Sequence, residues 1–202
     1  MSGKRKKESY NSQFFRFSSQ PQPALCRPHL SNMAEQELNS LFVKAQSYCL
    51  NASPSHPFTN LNSNIGGDAS LLCLRSDTDE QLLIHIVFLT AVRVSALSLS
   101  APIDESSPTS VKLYTNLTSP AFTDINDQEI SQTLALTEED LSMSRKLTLK
   151  QVKFQRVASL TLFFDENKGA APFTSLSGLK LFGHTLDGLD VGTIHQQHNH
   201  SH

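Results

Sequence analysis

Four histidines near the end of the chain, His195, His198, His200 and His202, come nearest to a metal-binding pattern. Alternating imidazoles on a polar tail can chelate Zn²⁺ or Cu²⁺, and His200 and His202 are the candidate ligands. A tag remnant or plain low complexity accounts for the same spacing. The run Asp77-Thr78-Asp79-Glu80 could offer oxygens to Ca²⁺, but the EF-hand spacing is absent and a solvated loop is the simpler reading. Nucleophilic chemistry has no support. No Gly-x-Ser-x-Gly occurs, Gly66-Gly67-Asp68 is one turn rather than a phosphate cradle, and His56, His85 and His184 lie far apart. His85 stands inside an apolar run and reads as a satisfied buried imidazole. Cys26, Cys49 and Cys73 form no Cys-x-x-Cys, which argues against a disulfide framework, a zinc knuckle or a redox pair. Cys49 and Cys73 lie among apolar residues and read as inert thiols. Neither an enzyme nor a cofactor is expected.

The elements that would position any site are strands. Leu82–Leu89 is apolar on both parities, as in a strand covered on both faces. Val92–Leu99 is a second run with polar residues interleaved. Val111–Thr115, Thr133–Leu136, Leu147–Leu149, Val152–Val157, Ser159–Phe164 and Ser177–Gly183 continue the series. Turn chemistry separates most of them, as at Ala101-Pro102, Asn116 to Pro120 and Asp165 to Gly169. Seven or eight short strands without intervening helices argue for an antiparallel sandwich or jelly roll. One short N-terminal helix is expected within Glu35–Leu50, where Leu38, Leu41, Phe42 and Ala45 recur at helical spacing.

Residues 1–35 carry six Lys/Arg against two acids, Glu8 and Glu35, and no periodicity. They read as a disordered basic extension, as a nuclear or organellar address, or as a non-essential stretch before Met33-Ala34. Residues 187–202 read as a flexible His-rich tail, which leaves 36–186 as the folded domain. Hydrophobic residues make up 38% of the chain and charged residues 18%, and the net charge is −2. That balance gives no electrostatic reason to seek nucleic acid or an anionic membrane. No run approaches the roughly 20 apolar residues of a membrane helix, and no signal-peptide pattern follows the basic start. The expected compartments are cytoplasm and nucleus.

Several segments carry a resemblance when taken together and in order. They are Cys49-Leu-Asn-Ala-Ser53, Arg75-Ser-Asp-Thr-Asp-Glu-Gln-Leu-Leu-Ile84 and Pro108-Thr-Ser-Val-Lys-Leu-Tyr-Thr-Asn116, then Lys153–Val157, Ser159–Asn167 and Leu179–Gly183. Over about residues 38–190 the chain resembles the PITH domain, the C-terminal module of proteasome-interacting thioredoxin-like proteins, which also occurs alone. The resemblance implies an all-β fold, an antiparallel jelly-roll β-sandwich of the galactose-binding-like kind. It also implies a non-catalytic protein-binding module that associates with the proteasome regulatory particle, expected to be monomeric. A fold label of this kind does not imply sugar binding. The thioredoxin half and its Cys-x-x-Cys are absent from this sequence, so redox activity is not expected. The alternative reading is a sandwich that binds a glycan or Ca²⁺ through the Asp77–Glu80 loop, weakened for glycans by the lack of Trp.

Leu82, Ile84, Ile86, Phe88, Leu113, Phe154, Leu160, Leu162, Leu181 and Phe182 are expected core, each contributing roughly 1.5–3 kcal/mol on burial. Asp77, Asp79, Glu80, Lys112, Asn116, Glu166, Asn167 and Lys168, at loops or strand ends, are the candidate partner-binding residues.

Overall fold

Leu82–Ser100 forms one strand, β4, around which the rest of the chain assembles. The sequence pattern suggests two strands here, but Thr90 and Ala91 between the apolar runs include no Gly, Pro, Asn or Asp to break the chain. The structure, a computed structural model, describes residues 34–62, 73–169 and 171–186. In order, the other strands are β1 Gln36–Glu37, β2 Tyr48–Leu50, β3 Leu74–Arg75, β5 Ser110–Thr115, β6 Gln132–Ala135, β7 Leu147–Thr148, β8 Val157–Phe164, β9 Ser175–Leu176 and β10 Gly178–Thr185. Among the described residues a single short α-helix, α1, spans Phe122–Ile125.

All pairing is antiparallel. The main sheet runs β1-β10-β4-β8-β5-β6, with β2 and β7 also on β4, while β3 and β9 form a separate two-stranded ribbon. The first half of β4 lies between β2 and β8, and its second half between β10 and β7. The change of partners occurs where the β8 register jumps from Val87↔Ser159 to Val92↔Val157. Four residues of β4, 88–91, there face one of β8, which lets a single strand serve both layers of a curled sheet.

A smaller irregularity keeps the second half in phase with the core. Phe182 pairs with Ala96 but Gly183 pairs with Val94, so Ser95 is an extra residue. Without it, alternation would turn Leu97 and Leu99 away from the side that Val92 and Val94 occupy. All four are fully buried. The Ser95 hydroxyl donates to Phe182 O and to the Glu35 carboxylate.

The core between the layers takes Leu82, Ile84, Ile86 and Phe88 from β4, Val111 and Leu113 from β5, and Leu160, Leu162 and Phe164 from β8. On the outer face of the same strands, Leu83, Tyr114 and Phe163 meet Ile125 of α1, with Tyr48, Leu117 and Phe122 against them. This second cover explains why Leu82–Leu89 is apolar on both parities. Tyr48 Oη fastens it by donating to Pro120 O at 3.0 Å.

Three further expectations change. The helix within Glu35–Leu50 is only the 3₁₀ turn Asn39–Leu41, followed by the extended bridge residue Phe42, a turn at 44–46 and β2. Leu38 and Leu41 are buried as their spacing suggested, but Phe42 bridges Phe88 and Val43 N donates to Val87 O. The Asn39 side chain donates to Leu179 O and accepts from Leu181 N, standing in for a strand. Val152–Val157 is not a strand: Gln151–Lys153 is a 3₁₀ turn that buries Phe154 and leaves Val152 83% exposed. Phe182 is only half-buried, its ring centre 3.9 Å from Lys146 Nζ rather than inside the core. Most of the basic extension (1–33), the tail 187–202, and with it His200 and His202, lie outside the described residues.

Candidate functional site at the loop end

One end of the sandwich gathers the β2–β3, β3–β4, β4–β5 and β8–β9 connections. Backbone hydrogen bonds tie them together: Asp77 N to Asn51 O, Ser76 N to Thr174 O, Ser175 N to Ser106 O, Thr109 N to Glu166 O and Lys168 N to Ser107 O. Loops on a rigid β scaffold are where binding residues concentrate.

Asn51 sets the shape of the acidic loop. It follows β2 with φ of 62°, a left-handed conformation that Asn tolerates better than most residues. Its Nδ2 donates to Gln81 O at 2.7 Å, to the Asp79 carboxylate at 2.7 Å and to Asp79 O at 3.2 Å. Its Oδ1 accepts from Thr78 N and Thr78 Oγ1. The Asp79 carboxylate also accepts from Gln81 N. Gln81 Nε2 then donates to Asp165 Oδ1, and Lys112 Nζ to Asp165 Oδ2 at 2.7 Å. That last bond holds the Lys112 ammonium above its ordinary range. One polar chain thus runs from Asn51 through Asp79, Gln81 and Asp165 to Lys112.

Three clefts lined by described residues open on this end. The largest, about 460 Å³, is lined by Glu80, Glu166, Asn167, Ala171 and Pro172. Beyond Pro172 a second, about 230 Å³, is walled by Ser53, Ser55, His56, Arg75, Asp77 and Phe173 among others. A third, about 210 Å³, runs between Pro108, Leu136, Leu141 and Lys168, whose ammonium pairs with Glu138. Asn167 shapes the first two by donating to Ala171 O and Phe173 O.

The structure brings Asp77, Glu80, Glu166, Asn167 and Lys168 to the clefts, with Asp79 and Lys112 in the polar chain behind them. Asn116 is elsewhere. It lies at the opposite end of β5 with φ of 60°, donating to Arg156 O and accepting from Ala158 N, so it is a turn former. Sequence reasoning missed Asn51, Asp165, Arg75 and Phe173. Their side-chain partners lie 27 to 98 positions away, so only the β2–β4, β3–β9 and β5–β8 pairings reveal them.

Chemically this end offers charged and hydrogen-bonding side chains around open clefts. Ser55 Oγ lies 2.9 Å from His56 Nδ1, yet among the described residues no carboxylate bonds this imidazole to orient it as a base. Cys49 is no nucleophile, since burial pushes its thiol up to about 12. Among the described residues no three His, Cys, Asp or Glu side chains converge as a metal site. No described helix is long and apolar enough to cross a membrane.

The PITH domain family model matches residues 28–198. Thioredoxin-like protein 1 of Schizosaccharomyces pombe is 34% identical over 164 residues, covering 78% of this chain and 54% of that protein. PITH domain-containing protein 1 of Homo sapiens is 31% identical over 97 residues, 48% of this chain and 45% of that one. The chain thus spans about half the length of the curated relatives it matches. Among solved structures, the family 32 CBM from Clostridium perfringens NanJ, seen in complex with galactose, superposes with a TM-score of 0.51 at 11% identity, covering 74% of this chain and 99% of that one. That likeness shows a galactose-binding-like β-sandwich fold and nothing of its ligand. On the extent of the family match, the chain belongs to the PITH domain family.

Proposed function

We propose that this chain is a non-catalytic protein-binding module that associates with the proteasome regulatory particle, working as a monomer in cytoplasm and nucleus. The observation that carries the reading is the family match over residues 28–198. The folded module is taken as residues 36–186. Its docking face is the loop end, where Asp77, Glu80, Glu166, Asn167 and Lys168 surround the clefts.

The test is co-sedimentation of the full chain with purified proteasome holoenzyme and with isolated core particle. Migration with the holoenzyme alone supports the reading. No co-migration at low salt overturns it. Glu80→Lys combined with Glu166→Lys should abolish co-migration if the loop end is the docking face, whereas undiminished co-migration moves that face elsewhere.

The alternative glycan or Ca²⁺ role meets two obstacles in the geometry. The Phe173 ring, the aromatic beside the clefts, already carries the Arg75 guanidinium on one face. The Asp79 carboxylate already accepts two N–H donors.

A further inference from the structure

The second cleft contains a cation, Arg75, that no carboxylate among the described residues pairs with. The β3–β9 ribbon pairs Arg75 with Ser175, which brings Phe173, two residues earlier, alongside. The Arg75 guanidinium carbon lies 3.1 Å from the centre of the Phe173 ring. Stacking fixes the plane of the fork, so less side-chain freedom is lost when it pairs. Among the described residues no carboxylate forms an ion pair with Arg75 and no acceptor bonds its guanidinium.

Around it the cleft supplies further donors and one acid. Ser53 Oγ lies 3.1 Å from Ser55 Oγ, and Ser55 Oγ lies 2.9 Å from His56 Nδ1, a chain of hydroxyls that can turn to donate or accept. Ser76 bridges Ala52, so the backbone is extended there. Arg75 and Asp77, two apart on extended chain, fall on the same side, and both line the cleft.

We propose that this cleft binds a peptide segment that presents one carboxylate to Arg75, with a basic side chain beside it for Asp77. A carboxylate matches the planar fork in bidentate geometry. A phosphate dianion is disfavoured, because Asp77, with Asp79 and Glu80 on the same loop, repels two charges about twice as strongly as one. A sugar ring stacking on that face of Phe173 would have to displace Arg75. The identity of the partner rests on the protein-binding role proposed above, whereas the chemistry of the cleft is testable on the chain alone.

The experiment titrates the isotope-labelled 202-residue chain with N-acetyl-Glu-Lys-amide, following the Arg75 Nε–Hε signal and the amides of Ser53, His56 and Asp77 by NMR. Saturable shifts of these signals are expected at millimolar peptide, as suits one charge-assisted contact, with affinity falling at least about tenfold in Arg75→Lys. The same loss is expected when the peptide is N-acetyl-Gln-Lys-amide. Arg75→Lys keeps the charge, and its remaining amide spectrum reports whether it folds. The proposal is overturned by absent or non-saturable shifts, by an equal response to the Gln peptide, or by tighter binding of a phosphoserine peptide or of galactose. Binding of the peptide without proteasome co-sedimentation would remove the proteasome and keep the site. The converse would remove the site alone.

Discussion

Gly183 of β10 lies so close to Arg93 of β4 that a Cβ on the glycine would stand 1.9 Å from the Arg93 carbonyl oxygen. The contact sits at the bulge where Ser95 is the unpaired residue. Any side chain there must push the strands apart at the point where the bulge sets the phase of Val92, Val94, Leu97 and Leu99. Gly183→Ala is therefore expected to lower unfolding stability by about 3 kcal/mol or more, through overpacking and loss of ladder bonds. Urea denaturation of the two chains checks it. A midpoint unchanged by the alanine would mean that the strands separate there at no cost.

Asn51 combines a left-handed backbone with a side chain that bonds three residues of the acidic loop. Asn51→Ala should lose both advantages and cost about 2–3 kcal/mol, while Asn51→Gly should keep the backbone and cost less. Thermal unfolding gives the order of the three chains. Amide exchange at Thr78 and Gln81 should quicken in both variants, since their N–H groups bond to Asn51 and to the Asp79 carboxylate that it holds. Equal stability of the Ala and Gly variants would show that the side-chain bonds, not the φ angle, dominate.

These two sites mark the boundary of what the sequence reveals. Strand existence was legible because alternation is local: β5, β8 and β10 fall where Leu113, Leu160–Phe164 and Leu179–Leu181 alternate or run apolar. The double cover of β4 was legible from Leu83 and His85, which complete its second apolar face. The N-terminal helix failed because Leu38, Leu41 and Phe42 satisfy helical spacing equally well as a turn followed by extended chain, and the turn wins by pairing with β4 and β10. Val152–Val157 failed because its buried residues, Phe154 and Val157, stand three apart while Val152 is exposed, so no period of two holds. At the loop end the acidic run was visible, but the contacts that shape it were not. Arg75 meets Phe173 and Gln81 meets Asp165 only after β3 has found β9 and β4 has found β8.

Thr174 offers a test of the buried polar bookkeeping behind the clefts. Its N donates to Ser76 Oγ at 2.8 Å, yet its own Oγ1 is buried with no partner among the described residues. Removing an unsatisfied buried hydroxyl while keeping the shape should be favourable. Thr174→Val is expected to raise stability by about 1 kcal/mol, read as a higher urea midpoint at unchanged m value. A loss instead would show that the hydroxyl is bonded in solution.

His85 should make the fold sensitive to mild acid. It is 3% exposed on β4, with Nδ1 2.9 Å from Thr161 Oγ1 and its ring centre 5.1 Å from that of Tyr48. Burial lowers its affinity for a proton in the folded state. In the unfolded chain the imidazole titrates at about 6.5, so above that pH both states are neutral and the residue contributes no pH dependence. Below it the unfolded state binds the extra proton first, and stability falls by up to about 1.4 kcal/mol per pH unit until the folded imidazole protonates as well. Carboxylates such as Glu35, held low by Lys146 and Ser95, act in a lower window, because their loss begins near the ordinary carboxylate range. His85→Gln keeps a group that can bond Thr161 and removes the titration. Urea midpoints of the two chains between pH 7.5 and about pH 5 should therefore diverge, with only the parent chain declining below about pH 6.5. Parallel decline would mean that His85 protonates as readily folded as unfolded, and an NMR titration of its ring proton would then place its pKa at the ordinary histidine value.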